Sequence, residues 1–158
     1  MLSKLQKLSW DTDGRYASDE ELRFIADYLQ SYGVRLQTYQ RLQQLEMTIV
    51  QEVYQKVWAI DPNLFMSGTE DVSAKWKRDT IRVLRYSAVA MLLNDTDTLC
   101  EKLLYWMQTI MKAFGAQQSC KVTYEQMQKV VKNHLSADQA SVFCSVLEVN
   151  ERLLGIAG

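Results

Sequence analysis

The stretch Lys75-Trp76-Lys77-Arg78-Asp79-Thr80-Ile81-Arg82-Val83-Leu84-Arg85-Tyr86 concentrates the side chains best able to do chemistry. Lys75, Lys77, Arg78, Arg82 and Arg85 stand against a single carboxylate, Asp79. At helical spacing Lys75, Arg78, Asp79 and Arg82 fall on one side, because residues three and four apart are neighbours. Trp76, Val83 and Leu84 fall near the edge of that face. One carboxylate ringed by cations, beside a large flat ring, suits a planar ligand with acidic arms. The same pattern also describes a solvated helix face with a Lys75–Asp79 pair, worth only about 0.3–0.5 kcal/mol.

Other chemistries find less support. His134 is the only histidine, and it sits late in the chain beside a helix-capping serine, where a polar or positive side chain suits a helix C-terminus. A haem ligand would be expected in mid-chain. Cys100, Cys120 and Cys144 are odd in number and widely spaced, with no metal-binding pattern, so they read as reduced thiols. Met91, Met107, Met111 and Met127 lie on apolar faces as core filler. No Gly-rich phosphate loop or nucleophile–base set is present, which argues against an enzyme. The net charge of -1 and pI near 5.9 give no support for nucleic-acid binding. No run approaches the roughly 18 apolar residues of a spanning helix, and residues 1–8 lack the apolar core of a signal peptide.

The elements that must position these residues are helices. One Pro and six Gly leave few breakers, and 47% hydrophobic residues suffice for a single core. Residues 2–8 form a short amphipathic helix that must dock on its own domain or on a partner. Asp11 to Gly14 is a turn. Ser18-Asp19-Glu20-Glu21 is a capping box opening a helix that Gly33 ends or bends. A long helix runs from Val34 to about Ile60, and Pro62 stops it. Residues 61–69 are a loop. The central helix spans about Thr69 to Leu93, and another runs from Thr98 to Phe114, ended by Gly115. Thr123 caps a helix to His134, and Ser136 caps the last one. The expectation is one all-α domain of about seven helices.

Several segments resemble a known family in order and spacing. Lys75-Trp76-Lys77-Arg78-Asp79 is similar to the bilin-attachment segment of phycobiliproteins, K-C-x-R-D, and the match continues into Leu84-Arg85-Tyr86 and Asn94-Asp95. Asp11-Thr12-Asp13-Gly14-Arg15-Tyr16-Ala17-Ser18 resembles the family's A-D-x-E-x-R-Y-L-S. Gly33-Val34-Arg35-Leu36 resembles G-x-R-R-L, and Lys132-Asn133-His134-Leu135-Ser136 resembles K-x-N-H-G-L-S.

The resemblance implies an all-α, globin-like phycobiliprotein fold with two extra N-terminal helices. It divides the single domain, 1–158, into a dimerisation segment, 1–33, and a core, 34–158. It implies light harvesting in phycobilisomes with a linear tetrapyrrole, phycocyanobilin. By family position the chromophore contacts are Lys75, Trp76, Arg78, Asp79, Arg82, Val83 and Tyr124. Asp79 would accept from the inner pyrrole N–H groups, and Arg78, Lys75 and Arg82 would meet the propionates. Asp11, Asp13, Arg15, Tyr16 and Arg85 would contact a β-type allophycocyanin subunit in an αβ unit, alongside phycobilisome linker or core proteins, on the cytoplasmic side of the thylakoid membrane.

The departures sharpen this expectation. Trp76 stands where the family has its thioether cysteine, and Arg82 and Val83 stand where it has paired tyrosines. The implied protein is an allophycocyanin α-like subunit of far-red or low-light type, holding its bilin non-covalently. The alternatives are a pigment-free interaction or linker module and a bilin photosensor of the same fold.

Overall fold

Capping side chains set most helix ends in the computed structural model, which describes residues 1–155; residues 156–158 of the expected core lie outside them. Helix α1 spans Leu2–Asp11. Helix α2 spans Asp19–Ile60, and at about 1.5 Å per residue its 42 residues reach about 63 Å. Its start is the expected capping box. Ser18 accepts from the Glu21 backbone N–H, and Glu21 takes the Ser18 N–H at 2.8 Å.

The expected break at Gly33 is absent, since α2 runs through it. A mid-helix glycine costs only about 0.5–1 kcal/mol relative to alanine, and anchors flank this one. Tyr28 donates its hydroxyl to the Leu92 carbonyl at 3.2 Å, and Arg35 donates to the Met91 carbonyl at 2.6 Å. Two helices expected from the sequence are therefore one, held on both sides of the glycine.

The loop after α2 is more ordered than the sequence implied. Asp61 accepts from the Asn63 N–H and opens a 3₁₀ turn, Pro62–Phe65. A two-stranded antiparallel ribbon follows, β1 (Met66–Ser67) on β2 (Glu70–Asp71), pairing Met66 with Asp71 and Ser67 with Glu70. Gly68 turns the ribbon at φ +62°, a conformation a side chain would strain. Helix α3 consequently starts at Ser73, later than expected, and runs to Leu93. Asn94 ends it in the left-handed conformation.

Helix α4 (Thr96–Leu99), a π-helical turn (Cys100–Leu104) and α5 (Tyr105–Ala113) follow one another without interruption. Gly115 turns the chain at φ +64° into α6 (Gln117–His134), and α7 (Ala137–Leu154) closes the order. Thr123, expected as a cap, lies inside α6. Ala116 precedes the helix with no side-chain cap, so the sequence carried no start signal there.

The core forms where α2, α3, α6 and α7 meet, around Ile49, Val53, Val83, Met127 and Phe143, each fully buried. The end of α3 is held from three directions. Besides Tyr28 and Arg35, the Met1 amine donates to the Asn94 carbonyl at 2.7 Å, so donors gather where helix carbonyls are otherwise unsatisfied. Asp95 accepts from the Ser3 N–H at 2.9 Å, the Ser3 hydroxyl at 2.8 Å and the Thr98 N–H, which docks α1 on its own domain. Burial pushes the Asp95 carboxyl up, but these bonds overcome it and hold the group down at about 2. Among the described residues no helix is long and apolar enough to cross a membrane.

Candidate ligand cavity beside the third helix

Residues 75, 76, 79 and 80 share one stripe of α3, because the helix repeats every 3.6 residues. That stripe faces a cavity of about 280 Å³. The ribbon gives it one rim through Met66 and Glu70. Met107 and Met111 of α5, with Phe114 just beyond it, form a second, and the first turns of α6 a third.

Trp76 is the fixed wall of this space. Its indole N–H donates to the Thr123 hydroxyl at 2.9 Å, joining α3 to α6. Its ring meets Phe65 edge-on, centroids 5.1 Å apart, and leans on Tyr54 at 5.8 Å. Phe65 in turn stacks on Trp58. Such aromatic pairs add about 0.5–1.5 kcal/mol each beyond area burial. The indole is therefore held by a hydrogen bond at its edge and by rings behind it.

The polar groups around the cavity are few and differ in kind. Asp79 is about one-third exposed, and its nearest cation, the exposed Arg78, is 3.9 Å away. The carboxylate so keeps acceptor capacity toward the cavity. Lys75 also lines it, with Nζ 4.6 Å from the centre of the Phe114 ring. Tyr124 lines the far wall and is 3% exposed. Burial, then the nearby Cys120 and Asp79, raise its phenol well above the ordinary range, so it stays a donor. Cys120 lines the same wall, and burial with Asp79 beyond it pushes its thiol up to about 12.

Of the residues expected from the sequence, the structure brings Lys75, Trp76, Asp79 and Tyr124 to one cavity. Arg78 and Arg82 do not join them. They line a shallow groove on the other side of α3, with Lys77, Arg85 and Tyr86. Arg82 sits 6.0 Å from the ring centres of both Tyr86 and Trp106. Val83 points into the core and is fully buried, one turn deeper than Thr80, so it is a packing residue and reaches no ligand space.

Of the expected contact surface, Asp11, Asp13, Arg15 and Tyr16 are exposed. Arg15 is held locally by Glu21, at 2.7 and 2.9 Å. Arg85 is clamped by Glu46 of α2 through two bonds of 2.6 and 2.7 Å.

Cys120, Phe114 and the ribbon residues were not among the expected site residues. A signal existed for Cys120, which lies four residues before Tyr124 and so on its face. The helix begins at Gln117, ahead of the expected cap at Thr123, and so includes Cys120. A family model, Phycobilisome protein, matches residues 8–152. No curated protein matches the chain.

Proposed function

Because the chain belongs to the phycobilisome protein family, we propose that it is a light-harvesting, allophycocyanin α-like subunit that binds phycocyanobilin without a covalent bond. The observation that carries this is Asp79, an acceptor carboxylate open to a cavity whose wall is a locked tryptophan at the position of the family's attachment cysteine.

The residues present fit such a group. The cavity lies just below the about 300–1,000 Å³ typical of ligand sites, so it encloses part of a long, narrow molecule and leaves the rest at its mouth. Asp79 accepts from pyrrole N–H groups, and its charge favours their protonated form. Tyr124 supplies a buried donor, and Lys75 a cation at the rim for a propionate. Trp76 offers a flat face that cannot swing aside. Met107 and Met111 exclude water with soft, adaptable side chains. When bound, a linear tetrapyrrole supplies a conjugated system that absorbs red light. Without a thioether that system keeps one more double bond in conjugation, which lowers the excitation energy.

Arg78 and Arg82 stand outside the cavity, so a propionate must leave it to reach them. The groove they form favours a second reading, a surface for an acidic partner. Asp11, Asp13, Arg15 and Tyr16 remain the proposed contacts with a β-type allophycocyanin subunit. Arg85 would serve there only together with Glu46. Assembly with linker or core proteins then places the chain in phycobilisomes on the cytoplasmic side of the thylakoid membrane.

Reconstitution with phycocyanobilin at neutral pH tests the proposal. A red-absorbing complex should form, and acidic urea should release all of its pigment. A colourless protein would leave only the pigment-free interaction module. Pigment retained after denaturation would refute non-covalent binding.

A further inference from the structure

Helix α6 approaches the cavity with three polar side chains on one face, Cys120, Thr123 and Tyr124, spaced three and four apart from the first. The Trp76 indole ends on the middle one. The wall touched by the residue that replaces the usual cysteine is thus the wall that carries a thiol. Cys120 lines the cavity, whereas Cys144 is buried and Cys100 lies in the π-helical turn, and neither lines it. Tyr124 points to a ligand independently. It lines the same cavity at 3% exposure, and its hydroxyl has no hydrogen-bond partner within 3.5 Å among the described residues. A hydroxyl so placed is free to donate to an acceptor that enters the cavity.

We infer that Cys120 is a latent attachment point for a tetrapyrrole in this cavity, its sulfur adding across the exocyclic carbon–carbon double bond of a terminal ring. A sulfur–carbon bond forms, the carbon–carbon π bond breaks, and the thiol proton ends on the neighbouring carbon. The addition needs no oxidant or reductant. The inference rests on the reading that the cavity holds a bilin.

The thiolate is the nucleophile in such additions. Burial, reinforced by Asp79, keeps Cys120 protonated at neutral pH, so the complex stays non-covalent there. The charged or titratable groups facing the cavity are Asp79 and Lys75 of α3, Glu70 of the ribbon and Tyr124 of α6 itself. From the α5 side come only Met107, Met111 and Phe114, none of which titrates. Raising the pH therefore frees the sulfur.

The test loads the protein with phycocyanobilin and holds it at neutral pH or at about pH 10.5, where the thiolate fraction is about three thousandfold higher. Acidic urea, digestion and peptide mass spectrometry then locate any adduct. Adduct should rise at least about tenfold at the higher pH, on the peptide containing Cys120. Cys120→Ser should abolish it, and Cys100→Ser and Cys144→Ser should not. An adduct on Cys100 or Cys144, or a coloured complex with no adduct at high pH, overturns the inference and leaves the pigment reading standing. A protein colourless at both pH values overturns both. Should circular dichroism show unfolding at high pH, modification by N-ethylmaleimide at neutral pH decides. Bound pigment should slow it at Cys120 at least about fivefold, as expected of a covered thiol, and equal rates would overturn the inference.

Discussion

On one face of α3, Lys75, Trp76, Asp79 and Thr80 look across a cavity toward α6. On the other, Lys77, Arg78, Arg82 and Arg85 line an open groove. Both faces come from the same dozen residues, yet their electrostatics differ. Asp79 lies beside a buried phenol, a half-buried thiol and rings, where fewer water dipoles screen it. Arg78 and Arg82 stand in water, where salt screens them and a single partner adds little. Net charge along a segment is therefore a poor guide to its binding power. The side that carries fewer charges is the side that encloses a cavity.

Four substitutions would break or sharpen this contrast. The largest effect is expected for Asp79→Ala. Losing a charge-assisted hydrogen bond of about 1.5–3 kcal/mol should weaken phycocyanobilin binding about 10–100-fold and diminish the red band. A titration with unchanged affinity would show that the cavity face is not the binding face.

Asp95→Asn separates the site from its scaffold. The Asp95 carboxyl lies near 2 in the fold and near 3.8 in the unfolded chain, so its stabilisation is complete above about pH 4 and lost as the pH falls toward 2. The difference corresponds to roughly 2 kcal/mol. Urea unfolding of the variant at neutral pH should show a loss of that order, and less acid dependence below pH about 4. Its pigment affinity should match that of the parent. A parallel loss of affinity would mean that the Asp79 result reports folding.

The smallest effect is expected on the groove. Arg78→Ala and Arg82→Ala should each change pigment affinity by less than about 1 kcal/mol, within about fivefold, and added salt should erase the difference. A larger, salt-resistant loss would place a propionate on these arginines and unite the two faces.

Much of the architecture was readable because its signals are local. The Ser18 and Ser136 capping boxes form as their spacing predicts, and Asn94 and Gly115 end helices where expected. Gly33 misled because a glycine signals a possible end, and whether the helix continues depends on anchors more than fifty residues away, at Met91 and Leu92. The start of α6 was missed because Ala116 carries no capping side chain. A helix opened at Thr123 contains Tyr124 but not Cys120, whereas the observed one contains both. Val83 shares its position with a family contact, yet its depth in the core is a property of neighbouring helices.

By itself the sequence determined the all-helical class, most helix ends and the family, since each of these is written within a few turns of chain. Only the tertiary structure decided which of the charges from Lys75 to Arg85 enclose a cavity, that Trp76 is pinned by Thr123 47 positions away, that Glu46 takes Arg85, and that a thiol shares the wall with Tyr124. The physical reason is that a helix prescribes which side chains share a face, while the crossing of separate helices prescribes what that face meets.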